Sequence, residues 1–414
     1  MIQRAGSDVI DVDVAIVGGG MVGAALGALL IRHGRLDPAR VLLIERLQPD
    51  AVAADAAYDV RVSAVSRASE RILHAAGAWE RLDASRTCAY QGMRVWYEGG
   101  APDGPDTLCF DAAAVAERDL GTILENRNLQ SAGLRAFVEG GGRLCPEALE
   151  GMDMHAEGVA LVTTGGSIRA GLVIGADGAA SRVRELAGIG SVARAYGERA
   201  IVATVACELP HRSIAWQVFL PTGPLALLPL PDGACSIVWS AVDVEATRLM
   251  ALEPEEFGSA LTRASSGALG ALRLVGQRRA FPLQRMNADH YASGRCVLVG
   301  DAAHTIHPLA GQGVNQGLLD AAALCEVIAA RPPREDPAAP HLLRRYERMR
   351  RSGNALVGLL MDQLDAAFIG SPGVRGRLAR EGLGMVARST ALRGLLVRHA
   401  LGLSGDLPRL ARAG

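Results

Sequence analysis

Short apolar runs broken by glycine turns fill the first third of the chain, and an apolar stripe at helical spacing marks its end. Val12, Val14, Ile16 and Val17 predict a strand, Gly18 to Gly20 a tight turn, and the residues to about Ile31 a helix of small side chains. A second apolar run, Val41 to Ile44, ends in Glu45. Strand, turn, helix and strand in that order open a parallel-sheet nucleotide-binding unit.

From about Gly92 the pattern changes to strand-like runs joined by Gly and Pro turns, as in GMRVWYEG and DTLCFD. A helix is expected over 126–139, then strands over 143–149, 158–162 and 168–174. Residues 200–241 hold QVFLPTG, LALLPLPDG and CSIVWSAV, which predict a large antiparallel sheet; 253–275 predict helix, 296–300 a buried strand and 313–330 another helix. Arg331-Pro332-Pro333 to Pro340 reads as a linker. Beyond it Leu342, Leu343, Tyr346, Met349, Gly353, Leu356, Val357, Leu360, Leu364 and Phe368 recur at three- and four-residue spacing, which predicts a long amphipathic helix and more helix to about residue 400. The fold class is therefore α/β plus α+β. A discontinuous Rossmann-like domain (10–84, 113–190 and 285–330) carries an inserted antiparallel-sheet substrate domain (85–112 and 191–284) and a C-terminal helical region (341–414).

Composition narrows the classes without choosing among them. The 414 residues are 49% hydrophobic and 21% charged, with a formal net charge of −1, which excludes a disordered chain and a basic nucleic-acid wrapper. All 43 basic side chains are arginine, so arginine number alone signals little. The seven cysteines are scattered with no CxxC pair, the start lacks a signal-peptide pattern, and no apolar run is long enough to span a bilayer. These features predict a reduced, cytoplasmic protein without a structural metal. The last 74 residues carry thirteen arginines and five acids. A basic amphipathic tail suits an anionic lipid surface, or it packs as a cap or dimer face.

The chemistry starts at Gly18-x-Gly20-x-x-Gly23. Its glycines allow a sharp turn, close approach of a pyrophosphate and tight helix packing, while the helix N-terminus attracts the phosphates and Glu45 is placed to accept from ribose hydroxyls. Gly382-x-Gly384-x-x-Ala387 lacks a preceding strand and reads as a helical contact. One fingerprint means that any second dinucleotide binds only in passing. Asp177 and Asp301 each follow a strand, where a carboxylate either meets ligand hydroxyls at the crevice edge or caps a helix. After Asp301, the tract His304-x-x-His307-Pro308-Leu309-Ala310-Gly311-Gln312-Gly313 reads best as a backbone-lined loop and helix N-terminus against a planar cofactor; a metal cage and a plain turn are the alternatives. Asp320 lies farther along that helix, its role open.

Four tracts carry a resemblance: DVAIVGGGMVGAALG at 13–27, DVRVSAVSRASERIL at 59–73, LVIGADGAASRVR at 172–184 and VLVGDAAHTIHPLAGQGVNQGLLDAAAL at 297–324. The chain resembles the class A flavoprotein aromatic monooxygenases, in the ubiquinone-biosynthesis hydroxylase branch, over essentially its whole length. YQGMRVWYEG at 90–99, LENRNLQSAG at 124–133 and LGLSGDLP at 401–408 make it most similar to the 2-polyprenylphenol 6-hydroxylases. Ala180, Leu227 and Gln316 depart from that pattern.

The resemblance implies FAD as cofactor, with NAD(P)H as transient co-substrate and O2 activated as a flavin C4a-hydroperoxide for the first ring hydroxylation. Another ring position, another hydrophobic aromatic, or a noncatalytic FAD-bearing lipid carrier or scaffold are the competing readings. By motif, Gly18, Gly20 and Gly23 would hold the pyrophosphate, Glu45 the adenosine ribose, and Arg61 the phosphates or ring edge. Asp301 would hold the ribityl–pyrophosphate part, and Pro308, Gly311, Gln312 and Gly313 would touch the isoalloxazine. Asp177 and Gly178 would serve FAD and nicotinamide contacts, and Asn126 is a weaker carry-over. His304 and His307 are catalytic candidates by location only. The implied partners are a polyprenylated phenol, the inner-membrane surface with which the protein would associate peripherally, a second copy and a ubiquinone-biosynthesis complex, with no nucleic acid.

Overall fold

The computed structural model describes residues 10–49, 56–305, 312–368 and 406–412. The chain opens with β1 (Ile10–Val17), α1 (Met21–His33), β2 (Val41–Ile44), β3 (Val62–Val65) and α2 (Arg67–Ala76). There follow β4 (Thr87–Tyr90), β5 (Gly92–Tyr97), β6 (Leu108–Asp111), β7 (Gly121–Glu125), α3 (Asn126–Glu139) and β8 (Arg143–Cys145). Next come β9 (Leu149–Met154), β10 (Val159–Thr163), β11 (Ser167–Gly175), the short α4 (Arg182–Leu186) and the strands β12 (Ser191–Cys207), β13 (Ile214–Leu220), β14 (Gly223–Pro229) and β15 (Cys235–Val242). The remainder is α5 (Asp243–Ala251), α6 (Pro254–Ala264), β16 (Leu272–Ala288), β17 (Ala292–Ser293), β18 (Cys296–Leu298), β19 (His304–Thr305), α7 (Gln312–Ala329) and α8 (Pro340–Phe368).

Three sheets result. In the first, β8, β2, β1, β11 and β18 lie side by side and parallel, with β17 antiparallel at one edge and a β9–β10 hairpin on β11. In chain order these five parallel strands run 3-2-1-4-5, so the winding reverses between β1 and β11, and ligands bind outside the carboxyl ends at such a reversal. Ile16, Leu43, Ile174 and Val297 form one buried row across four of these strands, and their strand neighbours Ala15, Leu42, Val173 and Leu298, on the opposite face, are buried too, as a parallel sheet covered on both faces requires. The second sheet, in the order β19-β16-β12-β15-β14-β13-β5-β6, packs one face on α5 and α6 through Trp96, Trp216, Trp239 and Phe257. The third is the small β3-β7-β4 sheet.

The discontinuous Rossmann-like architecture with its inserted sheet matches the expectation, and α3, β2 and α7 fall where the pattern put them. Three regions differ. The expected helix over 253–275 ends at Ala264, and β16 begins at Leu272 after a turn in which Gly267 and Gly270 take φ of +65° and +67°. That strand and the first part of β12 are largely exposed on both faces, so no clean apolar alternation announces them. β4 belongs to the small third sheet rather than to the inserted sheet, which the chain enters only at Gly92. The 284/285 boundary cuts off the last four residues of β16, since that strand stays in the inserted sheet to Ala288.

The expected linker is compact. Arg331 is buried and donates to the carbonyls of Gly34, Arg35 and Ile328, which ties the end of α7 to the end of α1. α8 is amphipathic as its stripe predicts, and Leu342, Leu343 and Tyr346 pack into the main core; Leu227, one of the departures, is buried under α5 and α6. Residues 406–412 return to the body, where Glu326 Oε1 accepts from the Leu410 N–H at 2.9 Å. No helix among the described residues is long and apolar enough to cross a membrane.

Candidate FAD site

Four loops leave the carboxyl ends of β1, β2, β11 and β18 and meet at the winding reversal. The Ala176 N–H donates to Val17 O at 2.8 Å and the Gly18 N–H to Ile44 O at 2.9 Å, so the three loops nearest β1 are tied by main chain. Gly18 takes φ +100°, and a Cβ there would drive into the Ala176 carbonyl; a Cβ on Gly23 would strike Gly18 O. The first and third glycines of the fingerprint are thus fixed by main-chain crowding. A Cβ on Gly20 would meet nothing within 4 Å, and no side chain caps the N-terminus of α1 or places an acid in its first turn. Uncapped N–H groups at a helix start, reached over open backbone, fit a pyrophosphate.

Glu45 stands at the rim, with Oε2 accepting from the Gly19 N–H at 2.7 Å and Oε1 from the Leu47 N–H at 2.8 Å. The fourth loop reaches the fingerprint through Val22, which lies under both Gly300 and Gly317. Gly300 has φ +58°, and the next residue, Asp301, is exposed. Protein packed around the Asp301 carboxyl pushes it up, against the charges of His304 and Arg61. Arg61 is exposed, with its guanidinium 5.6 Å from the centre of the Phe281 ring. Asn126 starts α3, donates its N–H to Arg61 O at 3.0 Å and accepts from Ser63 Oγ at 2.6 Å. Gly313, in the first turn of α7, leaves open space where a Cβ would sit.

Two of the expected site residues turn elsewhere. The Asp177 carboxylate accepts from Ser181 Oγ at 2.5 Å and from the N–H groups of Arg182 and Val183 at 2.7 and 3.0 Å. It holds the start of α4, the capping alternative, while Gly178 beside it takes φ +81°. His304 does not fit a catalytic group that meets substrate. It is buried, its Nε2 is 2.5 Å from Asp320 Oδ2, and Tyr291 stacks on its ring at 5.8 Å between centres. His307, Pro308 and Gly311 lie outside the described residues, and Gln312 is the first residue of α7.

Other residues that shape the site carried no local signal. Gln130 Nε2 donates to Gly19 O at 3.0 Å and so braces the fingerprint from α3. Asn315 donates to Ala64 O at 2.9 Å and accepts from the Ser66 N–H at 3.0 Å, which docks α7 on β3. Glu125 and Arg86, both buried, pair at 2.6 and 2.9 Å, and Glu125 also accepts from the Asp59 N–H at 2.6 Å, which fixes the approach to Arg61. Among the described residues no group of three His, Cys, Asp or Glu side chains is arranged to hold a metal ion.

The chain matches the FAD binding domain family over residues 11–357. It is 39% identical over 407 residues to the ubiquinone hydroxylase UbiL of Rhodospirillum rubrum, covering 97% of this chain and 92% of that one. The protein belongs to the ubiquinone-hydroxylase family of FAD-dependent monooxygenases. It is also 37% identical to the 3-demethoxyubiquinol 3-hydroxylase of Escherichia coli, covering 94% of this chain and 98% of that protein. Two solved structures share the fold. PqsL of Pseudomonas aeruginosa superposes with TM-score 0.74 at 24% identity, covering 90% and 99% of the two chains. The p-nitrophenol 4-monooxygenase PnpA of Pseudomonas putida does so with TM-score 0.77 at 19% identity, covering 96% and 100%. This family member is a flavin-dependent oxidoreductase that binds FAD, and the uncapped α1 start with the open Gly20 backbone has a shape that fits a pyrophosphate.

Proposed function

We propose that this flavoenzyme hydroxylates the aromatic ring of a polyprenylated phenol in ubiquinone biosynthesis, with NAD(P)H and O2 as co-substrates. The near full-length identity to a ubiquinone hydroxylase carries the reading. It is supported by the continuity of cofactor turn and inserted sheet, because β19, which immediately follows the Asp301 turn, is the edge strand of the sheet to which β12–β16 belong. Bound FAD supplies the redox and oxygen chemistry; the chain supplies binding, orientation and exclusion of water. In this reading the Gly18–Gly23 backbone holds the pyrophosphate, Glu45 accepts from the adenosine ribose, and Asp301 accepts from the ribityl hydroxyls. Arg61 stands near the phosphates or ring edge, Gly178 serves FAD and nicotinamide contacts, Asn126 is a weaker carry-over, and the Pro308–Gly313 segment touches the isoalloxazine. Asp177 acts through α4, and His307 stays a candidate proton carrier.

The E. coli relative's name states a different substrate and ring carbon from the first hydroxylation suggested by the sequence, so the proposal stops at the ring and product analysis assigns the carbon. The test supplies FAD-loaded protein with NADH or NADPH, oxygen and a short-chain prenylphenol. Oxygen-dependent nucleotide oxidation with a product one oxygen heavier is expected, its position read by NMR. Retained FAD with no turnover of any prenylphenol overturns the reading in favour of a noncatalytic carrier.

A lipid surface is the proposed route to such a substrate. Leu356 and Leu359 are about half exposed on α8, beyond the exposed Arg344, Arg345, Arg348 and Arg351. Apolar groups next to a cationic patch suit the anionic headgroup boundary. Sedimentation with anionic but not zwitterionic vesicles is expected, and Leu356→Ser with Leu359→Ser abolishes it. Equal sedimentation of wild type and double variant sinks the assignment.

A further inference from the structure

Asp320 of α7 is wholly buried, far from the glycine fingerprint in sequence, and its carboxylate is saturated. Oδ2 accepts from the Gly300 N–H at 3.1 Å and from His304 Nε2 at 2.5 Å; Oδ1 accepts from Arg350 Nε at 2.7 Å and Asn354 Nδ2 at 3.1 Å. Four donors fill the four lone-pair sites of a carboxylate. His304 must carry its proton on Nε2 to serve as one of them. Burial pushes the Asp320 carboxyl up, but the charges of His304 and Arg350 and the hydrogen bonds from both hold it well below the usual carboxylate range. Arg350 is itself held, with Nη2 donating to Gln316 Oε1 at 3.0 Å and Asn354 Oδ1 at 2.9 Å. Tyr291 closes the cluster, its ring on His304 and its hydroxyl 3.4 Å from Asn354 Nδ2.

These residues come from α7, α8 and the segment before β17, yet all bear on the turn from Gly300 to His304. The two groups that Oδ2 holds flank Asp301, one on each side. A buried charged network with every site filled tolerates one geometry, because any displacement strands a charge in a low-dielectric interior. We propose that Arg350, acting through Asp320, is a positioning residue for FAD: α8 fixes the angle at which the Gly300–His304 turn presents Asp301 to the cofactor, although Arg350 reaches no group at the glycine cradle. The inference rests on FAD binding, which family membership shows, and on the Asp301 contact proposed above; it does not depend on the substrate, so its test leaves the hydroxylation reading untouched.

The experiment follows flavin fluorescence as FAD leaves the holoenzyme, alongside Tm. Arg350→Met is expected to speed release about tenfold, with a shifted visible flavin band. Arg350→Lys restores the charge facing Asp320 but not the fork to Gln316 and Asn354, and recovers part of the loss. Leu343→Ala empties a core position on the same helix, buried but outside the network; it lowers Tm and leaves release at the wild-type rate. Wild-type release from Arg350→Met, or equal acceleration in Leu343→Ala at matched loss of Tm, overturns the proposal. Should Arg350→Met give no soluble protein, Gln316→Leu takes its place against the same control. A rise in release rate for Gln316→Leu with unchanged Tm supports the proposal, and an unchanged rate overturns it.

Discussion

The turns at 18–23 and 299–305 meet across Val22, and they are built by opposite means. The first is made by backbone alone: positive φ at Gly18, no room for a Cβ at Gly18 or Gly23, and open N–H groups at the start of α1. The second also contains a positive-φ glycine, Gly300, but is held in place by the buried ion pair of Asp320 and Arg350 and by the hydrogen bond from His304 to Asp320. A backbone-built turn fails by steric exclusion and is indifferent to pH. A charge-built turn fails by losing a partner, and protonation is one way to lose it.

Breaking the backbone side gives the largest effect. Gly18→Ala forces a side chain into positive φ against the Ala176 carbonyl, a strain of about 1–3 kcal/mol before any clash, so the purified variant is expected to come without flavin. A variant that keeps its flavin through purification refutes the backbone account.

Breaking the charged side should come next for the cofactor and show the steeper pH response. Asp320→Asn removes the charge that compensates Arg350 and is expected to cost about 3–5 kcal/mol at pH 7 in urea unfolding. The Asp320 pKa is depressed in the folded protein, so its contribution is fully present above the unfolded value of about 3.9 and drains away as pH falls through the lower folded value. Wild type and variant should therefore converge in stability only below about pH 4, and a gap that stays constant down to pH 2 would contradict the assignment.

An exposed pair sharpens the contrast with the smallest effect. Arg40 Nε and Asp13 Oδ1, beside β1, are 2.6 Å apart yet 46% and 36% exposed. Asp13→Asn should cost no more than about 1 kcal/mol and less in high salt. A loss comparable to Asp320→Asn would show that burial is not what separates the two pairs.

The same division separates what could be read from residue order. Gly18, Gly20, Gly23 and Glu45 were legible because strand, turn and helix follow one another within thirty-five residues, and their chemistry is that of adjacent main chain. Asp177 was legible only as a choice between ligand contact and helix cap, which Ser181 and Arg182 answer in space. Strand β16 was missed since much of it is solvated on both faces and gives no periodic signal. The stripe on α8 was visible, but its inner half turned out to be core, with Leu342, Leu343 and Tyr346 buried, before Leu356 and Leu359 emerge.

The order of residues by itself determined that a parallel nucleotide-binding unit opens the chain and that an antiparallel sheet interrupts it, and it showed a glycine fingerprint in the first turn. Local hydrogen bonding and side-chain periodicity are short-range, so they leave a trace in neighbouring letters. Only the tertiary structure decided that Arg350, an arginine among 43 basic residues, meets Asp320 and not water, and that His304 faces inward. A buried charge takes its value from whichever partners the packing of three distant elements delivers, and no spacing along the chain encodes that meeting.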